Sequence, residues 1–196
     1  NVDKNFEIPH WHRLVSVNAT AGREPETGDT RAACLLFTSG STGEPKGIRI
    51  NHSNIISYVK SIQKIYKPNE SDRFSQIFDQ TFDLSLHDMF VAWSTGASLF
   101  CIPDNERHAP GRFIKKHSLT FWFSTPSTIA LMQSAKLLKA NSFSTLRFSL
   151  FCGEPLSSEL AENWMVAAPK SRLHNLYGPT EATIAITQTK ITKKLL

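Results

Sequence analysis

The residues best suited to chemistry lie between Thr38 and Lys46. Thr38, Ser39, Gly40, Ser41, Thr42 and Gly43 lead through Glu44 and Pro45 to Lys46, directly behind the apolar run "RAACLLF" at 31–37. Glycines let successive backbone N–H groups turn inward to form an anion-binding concavity, hydroxyls add donors, and a lysine adds a point charge. This composition suits a polyphosphate. It is not a Walker A loop, because Pro45 stands where the second glycine belongs and Gly47, not Ser or Thr, follows the lysine.

Three further clusters carry polar or aromatic residues at strand exits. In "FDQTFDLSLHDMF" (78–90), Asp83 stands at the mouth of a helix, where a carboxylate ordinarily caps free N–H groups. "FCGEPL" (151–156) ends a strand at Gly153, where a flat ligand would meet bare backbone; taken alone it is only a strand exit. "NLYGPTEA" (175–182) sets the stacking face of Tyr177 beside the Gly178-Pro179 turn, then adds the Thr180 hydroxyl and the hard oxygen ligand Glu181. A stacking ring, a phosphate loop and a magnesium carboxylate together specify a nucleoside triphosphate site.

The elements that must position these clusters alternate. Apolar runs at 31–37, 73–78, 97–102, 119–124 and 146–153 read as strands, as do 172–178, 183–191 and the "IRI" after the glycine-rich loop. Helical spacing marks 53–66 with Ser53 as N-cap, 85–96 closing on Gly96, 110–117, 126–139, and 157–168 capped by Ser157 or Ser158. Strand–helix alternation with short connections predicts an α/β fold, a mainly parallel sheet with flanking helices. Ligands of such sheets bind beyond the carboxyl ends of the strands. All four clusters are expected on that rim, and the first strand is expected to be covered on both faces.

Bulk composition excludes several classes. The 22 Lys and Arg are dispersed, with Lys115-Lys116 and Lys193-Lys194 the tightest groups, so no nucleic-acid surface is expected. No apolar run approaches a membrane span, and the opening "NVDKNFEIPHWHR" is not a secretory signal, so the expected location is cytoplasmic, without a membrane partner. Cys34, Cys101 and Cys152 lack metal or disulfide spacing and read as buried free thiols. His10, His12, His108, His117 and His174 show no ligand spacing, and Trp11, Trp93, Trp122 and Trp164 read as core or interface.

In order and spacing, "FTSGSTGEPKGI", "FDLSLHDMF", "FCGEPL" and "NLYGPTEA" resemble the motifs of the adenylate-forming superfamily, most closely the amino-acid adenylation domains of nonribosomal peptide synthetases. The four matches span about three quarters of the chain. The resemblance implies ATP-dependent activation of an amino acid as an aminoacyl-adenylate, with Mg²⁺, and transfer to the phosphopantetheine thiol of a carrier protein. Thr38, Ser39, Gly40, Ser41, Thr42, Gly43 and Lys46 would form the phosphate loop. Gly153, Glu154 and Pro155 would supply the ledge under adenine, Tyr177 the ring above it, and Asn175 an adenine contact. Thr180 would touch the α-phosphate and Glu181 would hold Mg²⁺. Asp83 would face the α-ammonium group, with Leu84, His87, Phe123, Leu150, Cys152, Leu176, Ile184 and Ala185 around the substrate side chain.

The same resemblance implies a later "TGD"-type motif, a hinge and a lysine-bearing C-terminal domain, none of which occurs in these 196 residues. With Asn1 as first residue, the expectation is a 1–30 lead-in followed by a partial adenylation core at 31–196, the central part of the large N-terminal subdomain, inactive alone. Two other readings stand beside this one. An acyl- or aryl-acid ligase would have no use for Asp83; a non-catalytic nucleotide-binding or interaction module would need no catalytic lysine.

Overall fold

A computed structural model describes residues 30–39 and 45–196, so the expected 1–30 lead-in, with His10, His12 and Trp11, lies almost wholly outside the described residues, as do Gly40, Ser41, Thr42 and Gly43. A six-stranded sheet carries the fold, in the order β4-β3-β5-β6-β7-β8. Its strands are β3 (Arg73–Gln76), β4 (Ser98–Cys101), β5 (Phe121–Ser124), β6 (Phe148–Phe151), β7 (Arg172–Tyr177) and β8 (Thr187–Lys190). Strands β3 to β7 pair in parallel, and β8 closes the edge antiparallel to β7. The mainly parallel α/β architecture expected from the alternation is the one observed.

The central strands are apolar on both sides because helices cover both. Helices α1 (His52–Tyr66) and α2 (Leu84–Ser94) bury Ile55, Val59, Ile62 and Val91 against Phe74, Phe121, Phe123, Phe148 and Leu150. On the other face, α3 (Pro110–Lys116), α4 (Pro126–Ser134) and α5 (Ser158–Ala167) pack Phe113, Ile129 and Trp164 on Trp122, Phe151 and Leu173. Alternation along β5 thus sends Phe121 and Phe123 one way and Trp122 the other, as strand geometry requires.

Several expectations are corrected. The run at 31–37 is not a strand of the parallel sheet. It forms β1 (Ala32–Ser39), paired antiparallel with β2 (Pro45–Asn51) in a separate two-stranded sheet, with Leu36 buried but Leu35 57% and Phe37 64% exposed. A connection of five residues cannot bring a strand back parallel; that needs a crossover of a dozen or more. The glycine-rich loop is therefore a hairpin connection, and three of the four clusters lie on the sheet rim, not four. The cap of α1 is Asn51, whose N–H bonds the Asn54 side chain at 2.9 Å, and Ser53 already lies inside the helix. Ser157, not Ser158, caps α5, accepting from the Leu160 N–H.

Helix α4 stops at Ser134, well short of 139, with Lys136 in the left-handed region at φ 57°. Strand β8 begins only at Thr187, because Thr183 and Ile184 have φ of 65° and 71° and cannot extend. Among the cysteines only Cys152 is buried; Cys34 is half-buried and Cys101 exposed. Trp93 is 58% exposed, whereas Trp122 and Trp164 are core.

Candidate active site

Beyond the carboxyl ends of β3, β5, β6 and β7 lies a cleft of about 560 Å³. Each strand exit contributes to it: Phe78, Asp79, Asp83 and Leu84 after β3, Thr125 after β5, Cys152, Gly153 and Glu154 after β6, and Gly178, Pro179 and Thr180 after β7. This is where the parallel strands leave their helices splayed and open a crevice.

Asp83 sits at the N-terminus of α2 but makes no side-chain cap bond to the helix. The capping role that its position alone suggested is not the one it plays. Only 8% exposed, its carboxyl is pushed up from the ordinary range by burial, while the Thr180 hydroxyl and the Ile184 and Leu84 N–H groups pull the other way. Among the described residues no Lys, Arg or His forms an ion pair with it.

The backbone that brings Thr180 and Ile184 to Asp83 is strained. After Tyr177 the chain turns through Gly178-Pro179 into a short 3₁₀ turn, Thr180–Ala182, and then passes through left-handed Thr183 and Ile184. A β-branched residue at φ 71° is a real outlier, and such strain persists only where its surroundings hold it. The hold is visible: Ile184 is 1% exposed, the Ile186 N–H bonds the Tyr177 carbonyl at 3.0 Å, and a Cβ on Gly178 would lie 2.6 Å from the Ala185 Cα. Only glycine lets the two backbone segments cross this closely.

Past the end of the neighbouring strand β6, Gly153 has φ 88°, again a glycine conformation, and leaves bare backbone at the cleft wall. The Glu154 carboxylate accepts from the Ser127 N–H at 2.8 Å and hydroxyl at 3.0 Å, which places negative charge at the N-terminus of α4. Tyr177, next along the rim, is 69% exposed. Glu181 is exposed beside Thr180, and Pro155 is exposed beyond Glu154. Asn175 is half-buried on β7, with its Oδ1 buried and unpaired.

The expected substrate lining divides by depth. Leu84 and Cys152 line the cleft with Asp83; burial pushes the Cys152 thiol up to about 11. His87, Phe123, Leu150, Leu176 and Ile184 lie beneath, fully buried. Leu176 and the half-buried Ala185 also line a second groove, of about 340 Å³, between α1 and β8. His87 is joined through Nδ1 to the Tyr58 hydroxyl at 2.8 Å, packs against Phe123 with ring centres 4.5 Å apart, and leaves Nε2 buried and unpaired.

The hairpin approaches the same region. Strand β2 packs against the 180–182 turn, and Cys34 on β1 is near enough for the Asp83 charge to add to the rise that burial gives its thiol pKa. Thr38 and Lys46 face each other across the ladder at the hairpin's end. Of the expected phosphate loop, only Thr38, the Ser39 backbone and Lys46 are thus placed. Sequence reasoning missed Thr125, Arg107 and Tyr58. Arg107 lines the cleft and reaches the Ile77 carbonyl at 3.0 Å, but it follows an unremarkable polar turn in sequence. Tyr58 is hidden in the apolar stripe of α1.

Residues 3–195 match the model of the AMP-binding enzyme family. The chain belongs to that family. It is 31% identical over 182 residues to the D-alanine–D-alanyl carrier protein ligase of Bacillus velezensis, covering 91% of this chain and 36% of the relative. To the L-proline–[L-prolyl-carrier protein] ligase of Pseudomonas fluorescens it is 34% identical over 189 residues, with 93% and 37% covered. Among solved structures, the Vibrio cholerae adenylation domain AlmE in complex with glycyl-adenosine-5'-phosphate superposes with a TM-score of 0.81 at 41% identity, covering 84% of this chain and 31% of AlmE. IdnL7 follows with 0.80 and 38%, over 85% and 33%. The chain therefore spans a little over a third of the curated relatives' length.

Proposed function

We propose that the protein activates an amino acid with ATP, giving an aminoacyl-adenylate and pyrophosphate, and then passes the aminoacyl group to the phosphopantetheine thiol of a carrier protein. One observation carries the amino-acid part. Asp83 is a buried carboxylate on the cleft floor, with hydrogen-bond donors around it and no cation of its own among the described residues. A buried carboxylate is costly until a cation pairs with it, and the α-ammonium of an amino acid is such a cation. The names of the two carrier-protein ligases point the same way.

The remaining residues fit the rest of the reaction. Gly153, just after β6, and Tyr177, at the end of the adjacent β7, offer bare backbone and an open ring face to a flat base. An exposed Glu181 beside the cleft suits a hard cation that keeps most of its waters, and bound Mg²⁺ would neutralise phosphate charge. With the ammonium fixed at Asp83, a carboxylate oxygen of the amino acid attacks the α-phosphorus and the bond to pyrophosphate breaks. Lys46 and the hydroxyls of the hairpin loop are assigned to the phosphates released, and Thr180 to the α-phosphate beside the ammonium site. The carrier thiol, as thiolate, then attacks the activated carbonyl carbon and AMP leaves.

The test is acid-dependent ATP–pyrophosphate exchange by the whole protein across amino acids, fatty acids and aryl acids. A neutral amino acid should support exchange, and Lys and Arg should fail, since none of the residues assigned to the substrate side chain carries a carboxylate, and the cleft's Asp79 and Glu154 are engaged by Thr81 and Ser127. Lys46→Ala and Thr42→Ala should lower the rate with every acid while preserving rank order. Best exchange with a fatty or aryl acid would instead indicate an acyl- or aryl-acid ligase, and no exchange with any acid a non-catalytic module.

A further inference from the structure

Helix α4 is not capped by its own first residue. Its N-cap, Thr125, makes no side-chain bond to the helix amides; its hydroxyl meets the Ser127 hydroxyl at 2.8 Å and the Thr128 hydroxyl at 3.3 Å. The Ser127 N–H is one of the amides at a helix start that have no intrahelical partner. Glu154, 27 positions along the chain, supplies that partner. One carboxylate oxygen accepts from the Ser127 N–H at 2.8 Å and the other from the Ser127 hydroxyl at 3.0 Å. The two bonds make a two-point clasp between α4 and the exit of β6.

The clasp closes on Gly153, which directly precedes Glu154. A glycine loses more conformational freedom than any other residue when it is fixed, and Gly153 is fixed at φ 88°. Burial does not hold it, because Gly153, Glu154 and Pro155 are all exposed. On one side it follows β6, whose neighbour Cys152 donates its N–H to the Ser124 carbonyl at 3.3 Å. On the other side the anchor is the Glu154 carboxylate on α4. That helix is itself firm: Pro126 stands in its first turn with its φ preset, and Ile129 and Met132 are fully buried. Thr125, tied to Ser127, also packs beside the glycine, its Cγ2 3.6 Å from where a Gly153 Cβ would lie.

We propose that Ser127 is a positioning residue for nucleotide binding: through the Glu154 carboxylate it holds the 153–155 backbone in the conformation that meets the base. The proposal rests on the ATP-dependent reading given above, but not on which acid is activated. Ser127 is not among the residues lining the cleft, so it acts through Glu154, which is. A segment ordered before the ligand arrives spares the ligand the cost of ordering it. The phosphates and the ammonium are assigned to other elements, the β1–β2 hairpin and Asp83, so loosening the clasp should weaken recognition of the base alone.

Calorimetry on the whole protein measures binding of adenosine, AMP and inorganic tripolyphosphate, and pyrophosphate exchange gives KM for the amino acid. Ser127→Ala removes one of the two bonds and should weaken adenosine and AMP by the same factor, about threefold to tenfold. Tripolyphosphate affinity and the amino-acid KM should not move, and Ser127→Thr, which keeps the hydroxyl, should restore the wild-type values. Glu154→Ala should cost at least as much, and adding Ser127→Ala to it should change nothing further, since the clasp is already gone. Equal losses for adenosine and tripolyphosphate, additive losses in the double variant, or an unmoved Ser127→Ala overturn the inference and leave ATP use intact. A wild type that binds no adenosine overturns the ATP-dependent reading and this inference with it.

Discussion

At the scale of single residues, the cleft depends on a carboxylate and two glycines. Asp83 must be ionised to hold an ammonium, and burial raises its pKa above the usual carboxylate value. The ionised fraction therefore grows as pH rises through that raised value. In a pH profile, kcat/KM for the preferred amino acid should climb over this range, and the matched acid lacking the amino group should show no such limb; identical limbs would remove Asp83 from the role. The two glycines should behave differently. Gly178→Ala puts a Cβ 2.6 Å from the Ala185 Cα, a backbone atom that cannot swing aside, so it should cost at least about 1–3 kcal/mol and raise KM for both substrates by shifting Thr180 and Ile184. Gly153→Ala meets only ordinary neighbours at 3.5 and 3.6 Å and should cost about 1–2 kcal/mol, through its positive φ alone. Urea unfolding midpoints and ATP titrations of the two variants check the contrast.

At the scale of elements, α2 carries an unusual adjacent pair. His87 is held down to about 3 and Asp88, 1% exposed with Oδ2 unpaired, is held well above its ordinary value. Between the ordinary Asp and His values, the folded chain has neutral His87 and protonated Asp88, one proton in all; the unfolded chain has charged His and ionised Asp, again one. Their contributions to the pH dependence of stability cancel there. Asp88→Asn should unmask His87, so that stability falls with acid below about pH 6.5, by up to about 1.4 kcal/mol per pH unit. His87→Gln should unmask Asp88, so that stability rises as the pH falls toward the ordinary Asp value. Denaturant unfolding at several pH values reads both slopes, and parallel curves for the two variants would contradict the pairing. None of this was legible in sequence, where "LSLHDMF" reads as the helix behind Asp83 and His87 enters only as substrate lining implied by the resemblance. The strands β5 and β6 were legible, because runs buried on both faces keep no polar alternation. The hairpin was not: "RAACLLF" has the composition of a central strand, and only the ten residues between it and "IRI", too few for a parallel crossover, tell that it must return antiparallel. The early stop of strand pairing at 183–184 was equally hidden, since a β-branched residue at positive φ contradicts its own propensity and is imposed by the tight crossing at Gly178.

At the scale of the whole molecule, the parallel sheet does two things at once. Its two faces make two apolar cores, one under α1 and α2 and one under α3, α4 and α5, and its carboxyl rim gathers residues more than 90 positions apart, Asp83 to Thr180, into one cleft. The rim clusters were legible as chemistry before any strand was placed, because glycines, a tyrosine and isolated carboxylates at strand exits have little use in packing. Their depth was not, since sequence could not separate Leu84 and Cys152 at the cleft from Leu150 and His87 beneath it. In the proposed reaction this rim pairs Asp83 with the ammonium of an amino acid. The most direct test is a double-mutant cycle on the whole protein, measuring kcat/KM in pyrophosphate exchange for the preferred amino acid and its des-amino counterpart, with and without Asp83→Ala. A fully buried pair should give a coupling of roughly 3–5 kcal/mol, so that removing Asp83 costs the amino acid some hundred-fold or more and the des-amino acid little. A coupling near zero, with both acids losing the same factor, would contradict the claim.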